Sequence, residues 1–138
     1  MNDMREDIST ILDPAKIKNA HLASSPYVLR KAFKADPTIR RLIENGEKVI
    51  SLIAEETKKG ERLNEITLSA FAFIVESVKP EVAAEIFGDL FREFVKKPGP
   101  YFVHFAAHAI RSGLKLPVKT LEIVYSREEL IETQNKLP

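Results

Sequence analysis

Residues 63–97 read LNEITLSAFAFIVESVKPEVAAEIFGDLFREFVKK. The first part, 63–78, carries Ile66, Leu68, Ala70, Phe71, Phe73, Ile74, Val75 and Val78. It is apolar nearly all round between Leu68 and Val75, a pattern that predicts a helix buried between neighbours on two sides. Lys79-Pro80 makes a turn, and proline suits the first position of a new helix because the N–H it lacks would have no partner there. Residues 80–97 then place Val82, Ala83, Ile86, Phe87, Leu90, Phe91, Phe94 and Val95 at spacings of three and four, the period of an amphipathic helix. Lys97-Pro98-Gly99-Pro100 ends it. Two such helices around a tight turn form an αα-hairpin.

The same punctuation extends in both directions. Asp13-Pro14, Ser25-Pro26 and Asp36-Pro37 each set a capping residue before proline. Short helices are expected over 5–12, 14–22, 26–35 and 37–45, the last stopped by Asn45-Gly46. Residues 47–59 form the next, with Val49, Ile50, Leu52 and Ile53 as its apolar stripe, and Gly60 closes it. Downstream, 101–112 is helical and stops at Gly113. Residues 118–125 fit a helix, although their β-branched content leaves a strand open. Ser126-Arg127-Glu128-Glu129 has the form of a capping box. The expected fold is all-α, about eight to ten short helices stacked as antiparallel hairpins.

A shift of 38 residues aligns Glu47 with Glu85, Leu52-Ile53 with Leu90-Phe91, and Lys58-Lys59 with Lys96-Lys97. Any two amphipathic helices ending in lysine would align in this way; a stack of repeated hairpins is the other explanation. Thr38–Gly60, TIRRLIENGEKVISLIAEETKKG, resembles a HEAT-type unit, in which a Leu-Ile-x-x-Gly turn precedes a helix running Val-Ile-x-Leu-Ile. Residues 64–97 followed by YFVHFAAHAI are similar. The interior proline and the Asp-Arg pair common in such units are absent. The resemblance, also to armadillo-like repeats, covers about 26–112. It implies an α-solenoid fragment that binds another protein along a concave face, with 1–25 as N-terminal cap helices and 113–138 as a C-terminal cap of one domain.

Composition narrows the chemistry. The chain has 138 residues, 44% hydrophobic and 30% charged, with a formal net charge of +1 and no cysteine. Disulfides, thiolate catalysis and Cys-type zinc sites are therefore excluded. The first residues lack a basic stretch followed by an apolar one, and no run approaches the roughly 20 residues of a membrane span. A cytoplasmic protein away from the membrane is the expectation. The five glycines are scattered as helix punctuation, so no phosphate-binding loop exists. Ser24 and Ser25 read as caps, not nucleophiles.

Four sets of residues carry the functional expectations. Tyr101, His104, His108 and Arg111 form one polar stripe at about 100° per residue. Together with Lys48, Ser51, Glu55 and Arg92 on the second helices of the hairpins, this stripe is the expected partner-binding face. His104 and His108 also have the i, i+4 spacing of two metal ligands, but no glutamate stands between them as in zinc proteases. Arg30, Lys31, Lys34, Arg40 and Arg41 make a basic run opposed only by Asp36, the alternative being a nucleic-acid surface. The near-zero total charge and the lack of interleaved aromatics count against it. Glu55, Glu56, Glu61 and Glu65 lie near Lys58 and Lys59 as ordinary helix-surface pairs. Most of the phenylalanines at 71, 73, 87, 91, 94, 102 and 105 are expected in the core, and any apolar surface left over at the ends of a short stack would favour a homodimer or a larger partner. The sequence thus reads as a non-catalytic protein-interaction scaffold without cofactor; a metal-dependent enzyme using His104 and His108 is the remote alternative.

Overall fold

The computed structural model describes residues 4–17, 26–59, 63–96 and 102–111; at positions 26, 27, 94–96, 102–104 and 111 it describes the backbone alone. Expectations for 1–3, 18–25, 60–62, 97–101 and everything beyond 111 lie outside these residues. Those include the alternative of helix or strand at 118–125.

Capping chemistry sets the helix starts. The Asp36 carboxylate accepts the Ile39 N–H at 3.0 Å, and Pro37 opens the helix behind it. Asn64 does the same for Ile66 at 2.8 Å. Each cap satisfies an N–H that has no partner within the helix. The described residues form seven α-helices: α1 (Met4–Ile11), α2 (Pro26–Ala35), α3 (Pro37–Glu44), α4 (Glu47–Lys58), α5 (Glu65–Val78), α6 (Ala83–Lys96) and α7 (Phe102–Arg111). No strand occurs among them. The all-α expectation therefore holds, with helix limits a few residues or less from those read in the sequence.

Two stretches differ. Of the helix expected over 14–22 only 14–17 lies among the described residues; there the chain makes a 3-10 turn, Pro14–Lys16, and Ile17 after it is extended at φ −86°, ψ 110°. Ile17 is fully buried, its side chain part of the core. The helix expected from Pro80 begins as a 3-10 turn, Pro80–Val82, and becomes regular at Ala83. Lys79 ahead of it lies outside the helical region at φ −152°, ψ 85°, in keeping with the bias of the residue before proline away from helix.

The core is organised around α5. Every residue from Ile66 to Val75 is buried. The helix packs against α2, α3, α4, α6 and α7, which exceeds the two neighbours its apolar circumference suggested. Phe71, Phe87, Phe91 and Phe105 are fully buried with Phe33. Phe33 and Phe73 meet at 5.6 Å between ring centres, and Phe91 lies 5.6 Å from Phe87 and 6.2 Å from Phe105. These rings join α2 to α5 and α6 to α7, supplying much of the area that large aromatic side chains remove from water. The odd-numbered helices α1, α3, α5 and α7 touch in succession, and α6 packs closely on α7. α2 also reaches α7. No helix among the described residues is long and apolar enough to cross a membrane.

Candidate functional site

The open concavity of interest lies between α1 and α4. Its lining comes from Arg5, Ile8, Ser9 and Leu12 on the α1 side and Leu52, Glu55, Glu56 and Lys59 on the α4 side, around about 380 Å³. Helical periodicity explains the lining. Positions 5, 9 and 12 share one edge of α1 and its exit, while 52, 55, 56 and 59 share one edge of α4 and its C-cap. The floor is apolar: Ile8 is buried and Leu52 half-buried. Leu12 stands 37% exposed, one of two large apolar side chains so exposed among the described residues. The rim is charged. Lys59 donates to Glu56 at 2.8 Å, whereas Glu55 is exposed and makes no ion pair among the described residues.

A second, shallower cleft of about 310 Å³ is lined by Arg30, Phe73, Glu76, Ser77 and Pro80. Behind it sits His108, whose Nδ1 lies 3.0 Å from Glu76 Oε1. The His108 side chain is 2% exposed and that of Glu76 10%. The ring of Phe91 stacks on the imidazole at 5.6 Å and 15°. A carboxylate only accepts, so the Nδ1 facing it carries the hydrogen. The pair ties α7 to α5, and the near-complete burial of the ring keeps it from reaching a substrate in water.

This places the residues expected to bind a partner. His108 does not lie on an exposed stripe: α2, α5 and α6 cover the helix, and Phe105 through Ala109 are all buried. The sequence signal for this was Glu76 on the preceding hairpin, a polar residue at the end of an otherwise apolar helix. Tyr101 and the side chains of His104 and Arg111 lie outside the described residues. Lys48 is exposed on α4, and Arg92 is exposed on α6, where it donates to Asp89 at 3.0 Å. Among the described residues no three His, Asp or Glu side chains are grouped to hold a metal ion.

The basic run divides. Arg41 donates to both carboxylate oxygens of Asp7, at 3.3 and 3.1 Å, and to Thr38 Oγ1 at 3.3 Å. This pairing raises the Arg41 pKa, the hydrogen bonds to Asp7 being the main cause. Its guanidinium thus faces α1. Arg30 is half-buried beside the shallow cleft. Lys31, Lys34 and Arg40 are exposed. Residues that sequence reasoning did not connect are Arg5, Leu12 and Leu52, since nothing in their spacing pairs the first helix with the fourth.

Comparison with protein-family models, with curated proteins and with solved structures finds no match for this chain.

Proposed function

We propose that this chain is a non-catalytic protein-interaction module, a short HEAT-like stack of helices whose contact surface is the groove between α1 and α4. The observation that carries the reading is Leu12, a large apolar side chain 37% exposed over an apolar floor and ringed by Arg5, Glu55, Glu56 and Lys59. An apolar centre inside a polar rim is how protein contacts are built, and a groove between two helices accepts a side chain from a partner helix. For the stack itself, support comes from the successive contacts of α1, α3, α5 and α7, as in layered hairpins, while the reach of α2 to α7 departs from a regular solenoid.

Nucleic acid is the weaker reading, because Arg41 is engaged by Asp7 and only part of the basic run faces water.

The test is capture from the source lysate by wild type, Leu12→Asp and Arg92→Glu, each checked for helicity by circular dichroism. One or two stoichiometric proteins retained by wild type and Arg92→Glu, and lost by Leu12→Asp, is the expected result. Capture indifferent to Leu12→Asp overturns the choice of surface, and retention of nucleic acid alone overturns the function.

A further inference from the structure

Leu12 and Val28 are the two large apolar side chains exposed among the described residues, each at 37%. The first lines the groove between α1 and α4. The second lies on α2, on the face it shares with Lys31 and Ala35 at i+3 and i+7, and all three are exposed. This face is a small apolar ridge with one cation. The whole of α2, PYVLRKAFKA, has no acidic residue to neutralise that charge within the helix.

The groove has an apolar floor and a rim on which Arg5 and Lys59 stand beside Glu55 and Glu56. Leu12, Leu52 and Ile8 make the apolar floor, and Glu55 on the rim is exposed and unmatched among the described residues, whereas Glu56 already holds Lys59. We propose that the Val28–Lys31–Ala35 ridge of one copy docks into the α1–α4 groove of a second copy, with Val28 on the Leu12–Leu52 floor and the Lys31 ammonium on Glu55. The four-carbon stem of lysine lies along apolar surface while its head reaches a charge, so one residue serves both parts of the contact. Ridge and groove are different surfaces of the same chain, which makes the contact heterologous. The inference rests on the groove being the interaction surface and names its partner as this chain itself.

Charge exchange on the full-length protein tests it. Sedimentation velocity from micromolar to millimolar concentration, at low and moderate salt, is expected to give a mass that rises above the monomer with concentration. Glu55→Lys and Lys31→Glu each put like charges together, and each is expected to weaken association about tenfold or more. The double exchange restores an opposite-charge pair and with it most of the association. Both positions are exposed, so circular dichroism is expected to show unchanged helicity. A wild type that stays monomeric throughout, or a double variant no better than either single one, overturns the proposal. The two failures are distinguishable. A monomeric wild type whose capture of another protein is abolished by Leu12→Asp leaves the groove as the interaction surface with a different partner. Self-association that ignores Leu12→Asp removes the groove reading as well.

Discussion

Arg41 on α3 grips Asp7 on α1 through two hydrogen bonds across 34 residues of sequence. The partners are unequally buried: the Asp7 side chain is 10% exposed and that of Arg41 40%. Losing Arg41 strands a carboxylate away from water, whereas losing Asp7 leaves a guanidinium that water can solvate. Arg41→Ala is therefore expected to lower the urea midpoint more than Asp7→Ala. Equal losses would mean that the two partners are equally open to water, and no loss in either variant would mean that the pair holds nothing.

The same pair fixes an expectation for alkaline pH. Asp7 raises the pKa of Arg41, and Glu47, 3.1 Å away, raises that of Lys79 above the ordinary lysine value of 10.5. A cation whose folded pKa is raised stabilises the fold fully below its unfolded value and stops doing so as pH climbs through the folded one. Neither group titrates between pH 7 and 9, so neither makes stability change across that range. Wild type and Lys79→Met are expected to run parallel in urea titrations there, and to converge above about pH 10.5 as Lys79 discharges. Convergence already at pH 8 would contradict the assignment.

Thr67 is fully buried in α5, and its hydroxyl donates to the Ile11 carbonyl at 2.8 Å. That carbonyl belongs to the last residue of α1, where helix carbonyls lack partners within the helix. Thr67→Val keeps the shape and removes the donor, which is expected to cost about 1–3 kcal/mol. Thr67→Ser is expected to retain most of the stability. Hydrogen exchange provides a second readout, because the loss falls on α1 before it reaches α6 or α7.

Helices were readable from the sequence because proline and its capping predecessor mark their starts and three-four spacing marks their buried sides. α2 through α7 follow from those signals. At residues 14–17 Asp13-Pro14 looks like the start of a regular helix, yet the chain there makes a 3-10 turn and then runs extended at the buried Ile17. Placing His108 on an exposed stripe misled for a related reason. Periodicity shows which residues share a face but not what covers each of them, and Glu76 and Phe91 cover His108. The α1–α4 groove was out of reach because it depends on how two helices distant in sequence pack.

The Glu76–His108 pair gives a prediction of its own. With Glu76 removed, a 2% exposed imidazole loses the acceptor for its Nδ1 hydrogen. Glu76→Ala is expected to destabilise the fold by about 1–3 kcal/mol, as for other buried polar groups left unpaired. Glu76→Gln offers an amide oxygen in place of the carboxylate and is expected to lose less. Nitrogen-15 spectra of the imidazole check the geometry directly: Nδ1 is expected to be the protonated nitrogen in wild type. A hydrogen found only on Nε2 would mean that Glu76 does not hold the ring.

Gly46 joins α3 to α4 with φ 65° and ψ −142°, and it is the one glycine of positive φ among the described residues. A Cβ added there meets no atom within 4 Å, so crowding plays no part. The cost of Gly46→Ala is then backbone strain alone, expected at about 1–3 kcal/mol. Asparagine, which tolerates the left-handed helical region, gains nothing here because ψ −142° lies far from that region's value near +47°. Gly46→Asn is accordingly expected to match Gly46→Ala in urea midpoint, with the denaturant slope unchanged in both. A wild-type midpoint in either variant would mean that the α3–α4 turn adopts an ordinary negative φ in solution.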